Sequence, residues 1–300
     1  MKDIVVILGP TASGKSGAAL EVSKHIDCEL ISADSMQIYR KMDIGTAKPT
    51  KQEQEIVKHH MIDIVNIDED FSVSDFKDKS FKIIDNLHKN NKTPVVVGGT
   101  GLYINSIVYD LDFTSTPLNE DFRNEMEEII RKKGLRSLYE RLKDLDSDAA
   151  NRIHQNDEKR IIRRLEVLDN EGNEVKKFDF EKINTKYNFK IFGLTHPRPF
   201  LYEKINNRVD IMLEKGLISE VKGLVDEYGE NHKALKAIGY KEIIDYLNGN
   251  ISKEEAIRLV KRNSRRFAKR QFTWFKRDNR TKWLDFSEKN CLNYLISGIK

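Results

Sequence analysis

Residues Gly9-Pro10-Thr11-Ala12-Ser13-Gly14-Lys15-Ser16 read G-x-x-x-x-G-K-S and follow directly on the apolar run Ile4-Val5-Val6-Ile7-Leu8. The order is strand, glycine-rich loop, helix. The helix is predicted to begin near Lys15 and to carry Ala18, Ala19, Leu20 and Val22. That context makes the pattern a phosphate-binding P-loop. Glycine lets the loop wrap closely, so backbone N–H groups and the helix N-terminus face an anion. Every residue from Gly9 to Ser16 is therefore a candidate contact to a diphosphate or polyphosphate, with Lys15 as a point charge and Ser16 as a magnesium ligand. A chance glycine-rich turn would not fix four positions in this order with these flanks. The loop says neither which phosphate compound binds nor whether phosphate is transferred or discarded.

Outward from this loop the chain alternates. Short apolar runs at 4–8, 29–32, 61–67, 94–97 and 189–194 have the character of buried parallel strands, and helical patterns fall between most of them, as over 71–90. Such alternation predicts an α/β fold, a P-loop NTPase-like parallel sheet flanked by helices. Gly98-Gly99-Thr100-Gly101 ends the fourth run in a tight turn. Near Thr114-Ser115-Thr116-Pro117 the character changes. From about 119 to 182 the chain is charge-dense and helical in period, with helices expected over 125–133, 135–145 and 157–168. The predicted organisation is core at 1–116, a helical insertion subdomain at 117–186, and core again at 187–300. Helices are expected in the last part over 200–227, 234–247 and 253–276, with a short strand over 282–286.

The 300 residues are 39% hydrophobic, enough for a real core, and 33% charged, which is high. No stretch approaches the roughly 18 apolar residues of a membrane span. The N-terminus runs straight into the P-loop strand, so no signal peptide is expected. Two cysteines, Cys28 and Cys291, cannot build a disulfide framework or a zinc site, and a reducing, cytoplasmic setting is expected. The net charge of +4 is unevenly spread. Between Arg258 and Lys282 stand eleven Lys or Arg and one acid, Asp278, a net of +10 that leaves −6 for the rest of the chain. A basic block on a mildly acidic protein points to a polyanionic partner. At about 100° per residue, Arg258, Lys261, Arg262, Arg265 and Lys269 share one arc of a helix. Val260, Phe267 and Trp274 lie roughly opposite, and Phe272 falls on the basic side, where it could meet bases. A merely solvated face is the competing reading, which the charge density disfavours.

Asp34 follows the second strand, in Ile31-Ser32-Ala33-Asp34-Ser35-Met36-Gln37. Ligands of parallel sheets bind beyond the carboxyl ends of the strands. Asp34 is thus expected beside the P-loop anion, where a carboxylate can hold magnesium or accept a proton from a nucleophile. Helix capping accounts for the position equally well. Thr100 ends another strand, one without the Asp of a Walker B element, which disfavours a motor-type NTPase. A plain strand-to-helix turn would explain the Gly pair alone. Arg208, in Ile205-Asn206-Asn207-Arg208-Val209-Asp210, lies in a helix from which it could clamp a phosphate bidentately, although most helix arginines are simply solvated. His59 and His60 point to different sides and have no third ligand in view, so no metal site is expected there.

Together these pieces resemble the tRNA dimethylallyltransferase family (tRNA isopentenyltransferases) over nearly the whole chain. The matching stretches are 9–16, 31–39, Met42-Asp43-Ile44-Gly45-Thr46-Ala47-Lys48-Pro49, 97–103, 208–220, Ala237-Ile238-Gly239-Tyr240-Lys241-Glu242 and 265–274. The stretch 34–49 is far more specific than the P-loop. The resemblance implies that dimethylallyl diphosphate gives its prenyl group to N6 of the adenosine just 3′ of the anticodon, and that diphosphate leaves. The P-loop would then grip a leaving group, with Lys15, Arg208 and Mg²⁺ stabilising charge as the allylic C–O bond breaks. Asp34 would take the proton from N6 or hold that amine. Thr100 would contact the flipped base or its surroundings, with Ser35, Met36 and Gln37 as further tRNA contacts.

The resemblance also implies that the insertion embraces the anticodon arm. Where the family has Asp-Pro-x-Arg-hydrophobic-x-Arg-Ala-Leu-Glu, this chain has Asp157-Glu158-Lys159-Arg160-Ile161-Ile162-Arg163-Arg164-Leu165-Glu166. Lys159, Arg160, Ile161, Ile162 and Arg163 carry over as RNA contacts, Arg123 as a weaker one, and Arg262, Arg265 and Lys269 complete the set. A monomer without membrane attachment is expected. The chain ends without the zinc-finger extension of eukaryotic relatives, which suggests a bacterial architecture. A small-molecule kinase or an adenylate prenyltransferase would use the core but leave the basic block idle. A non-enzymatic RNA-binding module would leave the P-loop without purpose.

Overall fold

The structure, a computed structural model, describes residues 2–109, 111, 119–171 and 183–299. The expected change of character at 114–117 lies outside the described residues. The chain divides into two compact units, residues 1–110 with 181–300, and residues 111–180.

The first unit begins β1 (Lys2–Leu8), α1 (Lys15–Ser23), β2 (Cys28–Ala33), α2 (Lys51–Ile56), β3 (His59–His60), α3 (Val73–Lys89), β4 (Thr93–Gly98) and α4 (Gly101–Val108). The second unit holds α5 (Glu120–Lys133), α6 (Leu135–Leu145), α7 (Ser147–Arg152) and α8 (Glu158–Glu171). The first unit resumes with β5 (Tyr187–Thr195), α9 (Arg198–Glu214), α10 (Leu217–Tyr228), α11 (Tyr240–Leu247), α12 (Lys253–Phe275), β6 (Lys282–Asp285) and α13 (Cys291–Ile299). The strands form one six-stranded sheet in the order β3-β2-β4-β1-β5-β6, and every neighbouring pair is parallel. This is the P-loop NTPase-like α/β fold. β1 can sit centrally because Ile4 to Leu8 is apolar on both faces, and all five side chains are buried. The register places Leu8 opposite Gly98 and Gly193, and Gly98 opposite Ala33. The carboxyl ends of β1, β2, β4 and β5 therefore finish level, and the loops after them share one edge.

Several expectations need correction. The run 61–67 is not a strand. The third strand is only His59–His60, and Met61 and Asp63 then adopt φ of 62° and 53°, which no extended chain can hold. Val65 keeps a single bridge to Tyr39. The run 200–227 is two helices, broken where Gly216 takes φ 98°. The run 234–247 is a 3-10 turn, Ala234–Lys236, followed by α11. The short helices α2 and α7 were not anticipated, nor was α13. The first has a capping box between Thr50 and Glu53 that the T-x-x-E pattern encodes.

The second unit packs Met126, Leu138, Leu142, Ile161, Ile162 and Leu165 into its own core. At its centre Glu166 is fully shielded from solvent and accepts from Arg123 Nε and Nη2 at 2.9 Å, Arg163 Nη1 at 2.7 Å and the Asn119 N–H at 2.9 Å. Burial by itself would raise this carboxyl's pKa. The donors outweigh it and hold the group down at about 2. A carboxyl whose folded pKa is depressed contributes stability above its ordinary range, and the contribution is lost as pH falls from about 4.5 towards 2. Glu166→Gln is expected to cost about 2 kcal/mol at neutral pH. That is less than the roughly 3–5 kcal/mol of a fully buried pair, because both arginines reach solvent. Thermal melts between pH 2 and 7 check this: the wild type should lose its advantage over Glu166→Gln across that acid window.

Candidate functional site

The P-loop connects β1 to α1 at the level edge of the sheet. Gly9 is required there, because a Cβ would lie 2.4 Å from the Leu194 carbonyl oxygen of β5. Ala12 and Gly14 take left-handed φ of 63° and 92°, turning the loop around its concave side. Lys15 Nζ donates to the Pro10 carbonyl at 2.7 Å. Burial, reinforced by Arg208 and opposed by Asp34, pushes the Lys15 ammonium down to about 7. Arg208, on α9, reaches the loop and donates from Nη1 to Thr11 Oγ1 at 3.3 Å. Its own pKa is lowered by burial, with Asp34 opposing. Two crowded cations held at this desolvation cost are a site prepared for a multiply charged anion.

Asp34 lines the same cleft as Thr11, Lys15, Ser16 and Arg208. It caps no regular helix. Its Oδ1 accepts the Met36 N–H at 2.9 Å and fixes the turn after β2. Between Asp34 and the P-loop stands β4, so the two are about two strand spacings apart, roughly 10 Å. β4 ends in Gly98 and Gly99, and the space above it is otherwise taken. A Cβ on Gly98 would sit 2.2 Å from the Ala33 carbonyl oxygen, and one on Gly99 2.3 Å from Gln271 Nε2. Thr100 joins this edge by accepting the Ser35 N–H at 3.0 Å and donating to Ser35 Oγ at 3.3 Å. Gln37 is buried and spends its amide internally, accepting from Ser32 Oγ at 2.9 Å. Met36 packs against a hydrophobic cluster. Both residues were expected as tRNA contacts; Gln37 also lines the cleft, whereas Met36 is partly buried against that cluster.

Sequence reading missed Gln271. This α12 residue accepts the Thr11 N–H at 2.8 Å and donates to the Gly99 carbonyl at 2.9 Å, so it bolts the P-loop to the end of β4. It fell inside the family-like stretch 265–274, yet its partners are remote in sequence. The expected basic arc of α12 is also revised. Lys261 pairs with Asp210 at 2.6 Å, Arg265 donates to Asn206 at 2.5 Å, both on α9, and Arg262 is half-buried. The exposed cations of this stretch include Arg266, Lys269, Arg270, Lys276 and Arg277. Phe272 is not presented for stacking on bases. It packs edge-on against Trp283 at 5.0 Å, with Lys276 Nζ 4.6 Å from its ring centre.

In the second unit, Lys159 and Arg160 are exposed at the start of α8. Ile161 and Ile162 were expected as RNA contacts, but their side chains are buried in the core of that unit. Arg123 and Arg163 are held by Glu166, with about a third of each side chain exposed. Among the described residues no group of three His, Cys, Asp or Glu could hold a metal ion, and no helix is long and apolar enough to cross a membrane.

A family model for IPP transferases matches residues 37–278. The tRNA dimethylallyltransferase of Alkaliphilus oremlandii is 48% identical over 300 residues, covering 99% of this chain and 96% of the relative. That of Acetivibrio thermocellus is 45% identical over 303 residues, covering 100% and 97%. The full-length tRNA isopentenylpyrophosphate transferase of Bacillus halodurans has a similar structure, with TM-score 0.74, 41% identity and coverage of 100% of this chain and 97% of that one. A eukaryotic dimethylallyltransferase described as acting on tRNA gives TM-score 0.79 at 27% identity, covering 99% of this chain and 78% of that one. The level sheet edge, the P-loop with its two cations and the near-complete match in length agree: the chain belongs to the tRNA dimethylallyltransferase (IPP transferase) family.

Proposed function

We propose that this protein transfers the dimethylallyl group of dimethylallyl diphosphate to N6 of the adenosine immediately 3′ of the anticodon in tRNA, releasing diphosphate. The observation that carries the reading is the shared cleft, in which Lys15, Ser16 and Arg208 surround a phosphate loop and Asp34 faces the same space. Loop N–H groups, Lys15 and Arg208 hold the diphosphate and stabilise the charge that grows on it as the allylic C–O bond breaks. The adenine N6 forms the new bond to that carbon. The Asp34 carboxylate takes the displaced proton and releases it to solvent. Ala19, Leu30, Val97 and Pro49 supply apolar wall for a five-carbon group.

Mg²⁺ fits the donor set. The exposed Ser16 hydroxyl lines the cleft, and magnesium commonly takes one or two protein ligands and completes its shell with substrate phosphates and water. When bound it would neutralise diphosphate charge. The exposed cations of α12 and the α8 start supply backbone contacts to a tRNA anticodon arm, and the protein acts as a cytoplasmic monomer. Organisation as a bipartite core with a tRNA-binding insertion belongs to the same reading.

The decisive assay incubates the protein, Mg²⁺ and labelled dimethylallyl diphosphate with tRNA, AMP or ATP. Label should pass to tRNA with one diphosphate released per transfer. Label on AMP would instead identify an adenylate prenyltransferase, and ADP release would identify a kinase. Asp34→Ala is expected to lower turnover on the order of 10²–10⁴-fold with tRNA affinity retained, as for a lost acid–base group. Single-turnover rates alongside tRNA binding measure this. Neutralising Arg266, Lys269 and Arg270 together should weaken tRNA binding and flatten its log–log salt dependence by roughly one unit or less per lost phosphate contact. Affinity for the prenyl donor should persist in that variant, as direct binding titrations will show.

A further inference from the structure

Residues 42–49 carry much of the family likeness, yet of them the chemistry above uses only Pro49, as apolar wall. The loop has no regular secondary structure, and Thr46 and Pro49 line the cleft with Asp34 and Lys15. From α10 one side chain holds it. Glu220, in the first turn of α10, accepts the Asp43 N–H at 3.0 Å and the Ile44 N–H at 2.6 Å on one oxygen. Its other oxygen accepts the Gly45 N–H at 3.1 Å and the Tyr240 hydroxyl at 2.7 Å. Tyr240 is fully buried, and its ring leaves no slack, because a Cβ on Gly45 would lie 2.6 Å from it. On the inner side, Gln37 Nε2 donates to the Thr46 and Ala47 carbonyls at 3.3 and 3.4 Å.

Three successive N–H groups that point one way have no ladder to join. Left to water they would let the loop drift; gathered on a carboxylate they form charge-assisted hydrogen bonds of fixed geometry. We propose that Glu220 is a positioning residue for the prenyl donor: it clasps loop 42–49 from behind and so sets the cleft wall that faces the five-carbon group. α9 carries Arg208 and leads through Gly216 into α10 with Glu220, so consecutive helices carry both the diphosphate clamp and the clasp. The diphosphate end of the donor rests on the P-loop and Arg208 and is indifferent to the clasp. This inference rests on the prenyl-transfer reading.

The test compares wild type, Glu220→Ala, Glu220→Gln and Gly45→Ala. KM for dimethylallyl diphosphate is read against the dissociation constants of inorganic diphosphate and of tRNA, and against hydrogen exchange of the amides of residues 43–45. In Glu220→Ala, KM for the donor should rise on the order of tenfold, a change worth about 1.4 kcal/mol. The inorganic diphosphate and tRNA constants should stay within about twofold of wild type, and the three amides should lose protection. Glu220→Gln, which keeps a carbonyl acceptor, should recover part of the donor KM. A parallel loss of donor and inorganic diphosphate affinity would overturn the proposal, since it would mark a general disturbance of the fold. Fast-exchanging amides with an unchanged donor KM would overturn it too. Should Glu220→Ala fail to fold, Gly45→Ala pushes on the same loop through Tyr240 and must reproduce the selective rise in donor KM, or the proposal falls. A wild-type protein that does not prenylate tRNA would sink the functional reading itself, while the exchange data would still report whether Glu220 holds the loop.

Discussion

The close approach of α12 to the carboxyl edge of the sheet is the constraint on which the site depends. Gly99 gives way to the Gln271 amide and Gly101 to the Trp274 indole, which would lie 2.3 Å from an added Cβ. That nearness lets one amide hold two loops from different strands, the P-loop through Thr11 and the end of β4 through Gly99. The ends of β1 and β4 are thereby fixed in one frame. Were Gly99 any larger residue, the helix would have to withdraw, and the Thr11 N–H would lose its Gln271 acceptor.

Electrostatics follow from the same geometry. Lys15 and Arg208 are shielded from water beside the phosphate loop, and desolvation is costly for cations. The lowered Lys15 and Arg208 record that cost, relieved only partly by the Asp34 charge. An anion between the two groups would offset that cost.

What was legible in the sequence was local. The P-loop is contiguous, its strand and helix adjoin it, and the topology of parallel sheets puts Asp34 and Thr100 at the same edge without further information. Periodicity also found most helices, yet it could not tell α9 from α10, because a single glycine at 216 decides the break. Illegible features were long-range. Gln271 pairs with groups 260 and 172 positions away, and Glu220 with backbone 175 to 177 positions away. A helical wheel showed that Lys261 and Arg265 share a side, but not that Asp210 and Asn206 wait there to neutralise or satisfy them. Ile161 and Ile162 lie within a stretch of family likeness, and likeness does not separate residues that touch a partner from those that hold the touching residues in place.

The two faces of α12 also partition the protein's freedom to change. Its inner stripe, Ala256, Val260, Ala268, Gln271 and Phe275, is locked between sheet and neighbouring helices, where a single methylene is felt. Its exposed cations include Arg266, Lys269 and Arg270. Changes among those side chains alter the surface charge of the helix and leave the frame around the phosphate loop as it is. One helix thus separates what can evolve quickly from what cannot.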